Sequence, residues 1–131
     1  MSKSSTKSTF EDLNVWKEAR QLRKDISSVT KSFPTEEKYK LTDQMLRASR
    51  SVTANIAEGY GRFHFQENIQ FCRQARGSLY ELVDHLTVAF DEKYLPEDHF
   101  FKLKEHTFLV IKILNGYISY LKKQKNEQIK K

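Results

Sequence analysis

The stretch that decides the fold is residues 100–121, FFKLKEHTFLVIKILNGYISYL. Its core-forming residues follow one another in alternating steps of three and four: Phe100, Leu103, Thr107, Val110, Leu114, Tyr117 and Leu121. This spacing places them on one face of an α-helix. A period near 3.5 is also typical of helices that pack in gently supercoiled bundles. The stretch therefore predicts a long helix with a buried stripe, packed against other helices.

Three earlier segments show the same helical spacing. Their apolar stripes are Leu13, Trp16, Ala19, Leu22, Ile26, Val29 and Phe33; then Leu41, Met45, Ala48, Val52 and Ile56; then Ile69, Cys72, Ala75, Leu79, Leu82, Leu86 and Ala89. Pro34 and Pro96 break the chain between segments, and Thr35 is expected to cap the second helix. Gly59 is expected to end that helix in the left-handed conformation.

These patterns predict an all-α fold with helices at about 11–32, 36–58, 65–92 and 97–121. Short connections make consecutive helices antiparallel, so we expect an up-down-up-down four-helix bundle formed by residues 10–121. The polar residues 1–9 are expected to be disordered, and residues 122–131 to form a lysine-rich tail.

The net charge says less about binding partners than its size suggests. The chain has 131 residues and a formal charge of +6, of which residues 1–9 contribute +2 and residues 122–131 contribute +4. The remainder is neutral. A single cysteine excludes a disulfide framework, and no segment is typical of a signal peptide or a membrane span. We therefore expect a cytoplasmic protein without membrane contact.

Within the neutral part, the charges are segregated along the chain. Residues 45–78 contain five arginines and two acids, whereas residues 79–106 contain seven acids and three lysines. Arginine beside an aromatic ring suits phosphate contact and base stacking. The predicted nucleic-acid interface is Arg47, Arg50, Arg62, Arg73, Arg76 and Tyr80, with Lys122, Lys123 and Lys125 adding non-specific attraction. The alternatives are ion pairing, packing between subunits, and a solvated lysine-rich helix end.

The last helix carries more apolar residues than a monomeric bundle needs. Leu109, Ile113 and Tyr120 lie opposite its core stripe, around Gly116. Because a solvent-facing helix side should be polar, this second stripe predicts contact with a helix of another subunit. Scattered apolar surface residues, which are common, are the alternative.

The sequence contains no motif that predicts a catalytic site or a cofactor site. There is no Glu-x-x-His pair and no His-Glu-x-x-His motif. Residues 59–62, GYGR, lack the remainder of a nucleotide-binding loop, and Glu81 with His85 forms at most a surface pair. Cys72 lies on a core stripe and is interpreted as a buried apolar residue. We therefore expect no enzymatic activity, no metal and no cofactor.

Two segments resemble the four-helix bundle family of 23S rRNA intervening-sequence proteins: residues 51–62, SVTANIAEGYGR, and residues 71–82, FCRQARGSLYEL. Residues 13–16 and 33–34 add to the resemblance, which extends over about residues 10–121. The resemblance implies an antiparallel bundle that assembles as a homopentamer. It implies association with ribosomal RNA or another nucleic acid, or with a ribosomal component. The related accessory variability protein of diversity-generating retroelements also binds a reverse transcriptase.

The shared segments contain five residues for which we predict structural roles: Asn55, Glu58, Gly59, Gly77 and Ser78. Asn55 is expected to hydrogen-bond to a loop or neighbouring helix. Glu58 is expected to pair with Arg62 or Arg76, and Gly77 to allow close approach of another backbone, at Ala48. His64 stands where relatives usually have Ser or Thr, so the third helix should be capped more weakly, by about 1 kcal/mol.

The sequence as a whole favours a non-enzymatic oligomeric bundle that binds structured RNA or DNA with low sequence specificity. A protein-interaction scaffold, with another protein as its partner, is the alternative.

Overall fold

The structure is a computed structural model that describes residues 8–130 of the chain. Its four α-helices are α1 (Asn14–Thr30), α2 (Leu41–Tyr60), α3 (Phe65–Asp91) and α4 (Glu97–Lys130). Short 3₁₀ helices, Phe10–Asp12 and Thr35–Glu37, precede α1 and α2. The described part of the chain contains no β-strand, and the prediction of an all-α fold with four helices is confirmed. Most of the predicted disordered tail, residues 1–7, lies outside the described residues, as does Lys131.

The four helices form a closed square in which each packs against two neighbours. The contacting pairs are α1–α2, α2–α3, α3–α4 and α1–α4. Contacts between α3 and α4 run in opposite directions along the chain, from Asn68–Tyr117 at one end to Tyr80–Phe108 further along. In the closed square, the α1–α2 side and the α3–α4 side are opposite faces of the bundle.

The core lies inside this square and contains the apolar stripes of all four helices. Leu22, Met45, Leu82 and Leu114 are among its fully buried side chains. The threonine in the α4 stripe is also fully buried, and its Oγ1 donates to the carbonyl of Leu103 at 2.7 Å. The hydroxyl therefore enters the core without an unsatisfied hydrogen bond.

The first helix begins later than its predicted start at residue 11. Thr9 forms a capping box with Asp12, whose Oδ2 accepts from the Thr9 backbone N–H at 3.0 Å. This box closes the first 3₁₀ turn, and Leu13 then adopts an extended conformation before α1. Local capping chemistry therefore separates the turn from the helix.

The prediction that Thr35 caps the second helix is wrong. Thr35 opens the second 3₁₀ helix and makes no side-chain cap, and α2 begins only at Leu41. Glu37 takes over the capping role, since its Oε1 accepts from the Leu41 N–H at 3.3 Å. Its other oxygen accepts from the Tyr94 hydroxyl at 2.8 Å, which ties this turn to the α3–α4 connection.

The predicted left-handed stop at Gly59 is also wrong. Helix α2 continues through Gly59, and no glycine in the described residues has a positive φ. The left-handed residue in the following turn is Phe63, with φ 63°. Gly59 instead permits close contact with α3, because an added Cβ would lie 2.7 Å from Asn68 Oδ1 and 2.9 Å from Phe71 Cβ.

Helix α4 extends to Lys130, nine residues beyond the predicted end at residue 121. The predicted lysine-rich tail is therefore helical as far as the structure describes it. Lysine and glutamine are good helix formers, and lysines near a helix C-terminus interact favourably with its dipole. No helix in residues 8–130 is long and apolar enough to span a membrane.

Candidate nucleic-acid interface

The predicted arginine set does not form one surface. Arg50 faces the α1–α2 side, where it lies beside Arg23. Arg76, on α3, donates to Asn115 Oδ1 of α4 at 2.7 Å, so it lies on the α3–α4 side. Because these sides are opposite faces of the square, Arg50 and Arg76 do not share one contact surface on a subunit.

Two of the predicted arginines are engaged with acids. Arg47 Nε lies 2.9 Å from Asp43 Oδ2 on the same helix. Arg62 lies 3.1 Å from Glu58 Oε2 and 3.9 Å from Glu67 Oε2. The predicted partner of Glu58 is therefore present in Arg62. These pairs are partly exposed and individually weak, but they reduce the charge that Arg47 and Arg62 offer to a phosphate.

The structure brings together basic residues that the sequence analysis missed. Between α1 and α2, a depression of about 380 Å³ is lined by Arg23, Lys24, Ser27 and Arg50; we call this the α1–α2 basic groove. Arg23 is half-buried, and its Nη1 donates to Thr53 Oγ1 at 2.9 Å. None of the three basic side chains in the groove lies within ion-pair distance of an acid in the described part of the chain.

An aromatic cluster adjoins the α1–α2 basic groove. Phe10 and Trp16 line a neighbouring depression that also contains Arg23 and Arg50. The two rings meet edge to face at 5.1 Å, and the Arg20 guanidinium lies 5.8 Å from the Trp16 ring. Arginine and lysine in a groove beside aromatic rings can hold a phosphate backbone and contact sugars or bases.

The acids of α1 lie on its other side, toward α4. Glu18 Oε1 is 3.0 Å from His106 Nε2, and Asp25 Oδ2 is 3.8 Å from His106 Nδ1. The helix therefore separates part of its charge, with Arg23 and Lys24 toward α2 and its two acids toward α4. A count along the sequence averages these charges, so the basic side of α1 was not apparent. The available signal was the spacing of Arg23 and Lys24, which lie four and three residues before Ser27 on the helix.

The other predicted contact residues have separate positions. Tyr80 packs edge to face on Phe108 of α4 at 6.1 Å, on the α3–α4 side. Arg73 is exposed on α3. Lys122 and Lys123 are exposed on the last turns of α4, and Lys125 Nζ donates to Gln66 Oε1 at the start of α3. The lysines therefore lie at the bundle end where α2 meets α3.

Of the five motif residues, Gly59 and Ser78 make contacts between α2 and α3. Asn55 does not reach another helix as predicted, because its Nδ2 donates within α2, to the Ser51 carbonyl and hydroxyl, both at 2.9 Å. Ser78 supplies the interhelical bond instead, donating to Ser51 Oγ at 2.9 Å. The predicted close approach at Gly77 is wrong within the subunit, because nothing lies within 4 Å of an added Cβ.

The four residues predicted to form the oligomer interface differ in their exposure in the structure. Leu109 is 45% exposed and Gly116 has open space around it. Ile113 is partly buried and packs against the core, so it exposes less surface than the predicted stripe requires. Phe101 and Phe108, which the prediction omitted, are 50% and 40% exposed. We use the name outer α4 face for Phe101, Phe108, Leu109 and Gly116; Tyr120 lies beyond it, at the end of the bundle.

Two observations on the described residues concern candidate nucleophiles and metal ligands. Cys72 is fully buried, and burial raises the pKa of its thiol to about 12, so the thiol is protonated near neutral pH. Its Sγ lies 3.5 Å from Asn68 Oδ1. No cluster of three or more His, Cys, Asp or Glu side chains in the part of the chain described here could hold a metal ion. His64 makes no side-chain cap on α3.

Comparisons with known proteins agree with this architecture. The chain matches the family model described as 23S rRNA-intervening sequence protein over residues 11–116. It is similar in fold to the crystal structure of a protein of unknown function from the S23 ribosomal protein family of Bacteroides thetaiotaomicron, with a TM-score of 0.74 and 20% identity over 80% of this chain and 95% of that chain. No curated protein is significantly similar to the chain. Neither the matching family nor the similar structure is described as an enzyme. Since the family model covers most of the four-helix bundle, the chain belongs to the 23S rRNA-intervening sequence protein family.

Proposed function

We propose that this protein is a non-enzymatic bundle that associates with copies of itself and binds structured RNA or DNA through the phosphate backbone. The observation that carries the proposal is the α1–α2 basic groove, where Arg23, Lys24 and Arg50 converge without acidic partners in the described residues. Phosphate contacts position a nucleic acid but carry no sequence information. We therefore expect low sequence specificity.

Arg23 is held in a fixed position, and this makes it better suited to bind phosphate than a mobile surface side chain would be. The hydrogen bond to Thr53 holds its guanidinium between the two helices. A guanidinium that is already ordered loses less conformational entropy when it binds an anion, and its remaining N–H groups can bind phosphate oxygens in pairs. Arg50 and Lys24 are exposed on either side and can follow a backbone along the groove.

Self-association is supported by the outer α4 face. Phe101, Phe108 and Leu109 expose large apolar surfaces on one side of a single helix, and such patches often mark protein interfaces. Gly116 lies about two turns further along the same helix, where glycine costs about 1 kcal/mol relative to alanine. Contact with another subunit accounts for both features. A homopentamer is the assembly that family membership leads us to propose.

The same face supports a second candidate function, a scaffold for another protein. Tyr80 extends the apolar surface from α4 onto α3 through its contact with Phe108. A ribosomal component or a reverse transcriptase could occupy this surface. In that case the outer α4 face, and not the basic groove, would determine binding.

The experiment that tests the proposal combines copurification with direct titration. Protein purified without nuclease should carry nucleic acid, measured by its ultraviolet absorbance ratio. Nuclease-treated protein should bind fluorescent RNA and DNA duplexes of unrelated sequence with similar dissociation constants. Arg50→Glu should reduce the amount of copurified nucleic acid and weaken binding to both duplexes. The oligomer mass should not change. Absence of binding at low salt would overturn the proposal, whereas capture of a protein partner alone would favour the scaffold.

A further inference from the structure

An aromatic cavity lies at the end of the bundle where α2 meets α3. It has a volume of about 300 Å³ and is separate from the α1–α2 basic groove; we call it the end cavity. Its aromatic lining residues are Tyr60, Phe63, Phe65, Tyr117 and Tyr120. The Tyr117 and Tyr120 rings are nearly parallel, with 14° between their planes and 6.4 Å between centroids. Flat rings of this kind are surfaces on which planar ligands stack.

Phe63 is costly to the fold at this position. It has φ 63°, which is unfavourable for a bulky residue, and it is 89% exposed. Backbone strain of this kind is concentrated at active sites and ligand-binding sites. Within the described residues, Phe63 gains almost no burial in return. A ligand that covers the Phe63 ring would account for both the strained backbone and the exposure of the ring.

Polar groups at the end cavity can recognise the edge of a planar ligand. Asn68 Nδ2 donates to the Tyr117 hydroxyl oxygen at 3.2 Å, which leaves the Tyr117 O–H available as a donor. No acceptor for it is found in the described part of the chain. Burial raises the pKa of Tyr117, so the hydroxyl keeps its proton. His64 adds a ring nitrogen at the rim. A few polar groups in an aromatic cavity are typical of a ligand site.

The α4 side of the end cavity carries positive charge, which favours an anionic ligand there. The nearby acids Glu58 and Glu67, on the α2–α3 side, are paired with Arg62. Lys122 and Lys123 follow Tyr120 on α4, and Lys125 reaches across to Gln66 at the start of α3. Glu127 is the sole acid among residues 122–129. Aromatic rings beside a row of lysines match an unpaired nucleotide, whose base can stack while its phosphates contact the amines. An apolar side chain from another copy would not use these lysines.

We propose that the end cavity receives an unpaired nucleobase, so that the protein prefers nucleic acids with single-stranded extensions or loops over uninterrupted duplexes. This inference rests on the nucleic-acid binding proposed above. It assigns a second contact, at the bundle end, to the same ligand that follows the α1–α2 basic groove.

The test compares two fluorescent RNAs, a blunt duplex and the same duplex with a single-stranded extension. The wild-type protein should bind the extended RNA more tightly. Phe63→Asn, which removes the ring and suits a positive φ, should weaken binding to the extended RNA about tenfold, and so should Tyr120→Leu. Binding to the blunt duplex should change less than about twofold, because the groove is intact.

Tyr39→Leu is the matched control, because Tyr39 is 82% exposed but precedes α2 at the opposite end of the bundle. It should leave both affinities unchanged. If the wild type binds both RNAs equally and the end-cavity variants have no effect, the base site is refuted while groove binding stands. If neither RNA binds, the proposed function fails as well. A changed oligomer mass in Tyr120→Leu, with no change in RNA preference, would instead assign the cavity to a subunit contact and overturn the inference.

Discussion

Ser78 on α3 donates a hydrogen bond to Ser51 on α2, with 2.9 Å between the two hydroxyl oxygens. Ser51 Oγ also accepts from Asn55 Nδ2 at 2.9 Å. The two segments that resemble the family, residues 51–62 and 71–82, each supply one partner of this contact. Ser51 and Ser78 therefore join two helices of one subunit, which is a structural role.

This hydrogen bond should be measurable as an energetic coupling. Ser51→Ala and Ser78→Ala should each lower the free energy of unfolding, because each leaves the other hydroxyl without its partner. In the double variant the second change should cost less, with a coupling energy of about 1 kcal/mol. Urea unfolding of the four proteins gives this value. Strictly additive effects would show that the bond contributes nothing.

The two glycines of the motif should respond oppositely to alanine. Gly59→Ala should lower the free energy of unfolding, because the new Cβ would lie 2.9 Å from Phe71 Cβ and overpacking costs about 1–3 kcal/mol. Gly77→Ala has open space within the subunit and should stabilise α3 by up to about 1 kcal/mol. Thermal unfolding followed by circular dichroism measures both; equal effects would contradict this account.

The helices were predictable because one physical signal dominates them. The stripe from Phe100 to Leu121 repeats with the helical period, and burial of that stripe fixes both the helix and its packing. The helix ends were less predictable, since competing local bonds decide them. Thr35 looked like a cap, but Glu37 forms the bond to Leu41.

The candidate site was only partly predictable, because it depends on which side of a helix a charge occupies. Arg50 was identified from the sequence, but its neighbours Arg23 and Lys24 were not. In a linear count they are offset by Glu18 and Asp25, which the structure places on the opposite side of α1 near His106. Only the packing of α1 between α2 and α4 separates the two sets.

The buried Cys72 should be unreactive in the folded protein. Burial raises its pKa to about 12 from an ordinary value of 9.0, so the reactive thiolate is scarce near pH 8. Modification by a thiol reagent should be slow in buffer and rapid in denaturant. Rapid modification of the folded protein would contradict the burial.

The same shift predicts a dependence of stability on alkaline pH. Above about pH 9 the unfolded chain loses the thiol proton first, while the folded chain keeps it. The free energy of unfolding should therefore fall between about pH 9 and pH 12, more steeply than in Cys72→Ala. Parallel slopes for the two proteins would refute this contribution.

The outer α4 face should hold the oligomer together. The wild type at micromolar concentration should have a mass near five times the 15.5 kDa subunit mass. Phe108→Asp and Leu109→Asp should shift the mass towards the monomer, because a charge cannot be buried unpaired in an interface. Val88→Asp, an exposed apolar residue on α3, is the control. Light scattering measures all four; a monomeric wild type would contradict self-association.

The most direct test of the central claim is the salt dependence of RNA binding in two matched double variants. Lys24→Gln with Arg50→Gln removes two charges from the α1–α2 basic groove, and Arg73→Gln with Arg76→Gln removes two from α3, where Arg76 contacts Asn115 of α4. We predict that the first pair weakens binding and reduces the slope of log K against log salt by about one for each phosphate that the protein no longer neutralises. The second pair should leave both unchanged. Equal effects of the two pairs, or an effect of the second pair alone, would contradict the assignment of the α1–α2 basic groove as the nucleic-acid site.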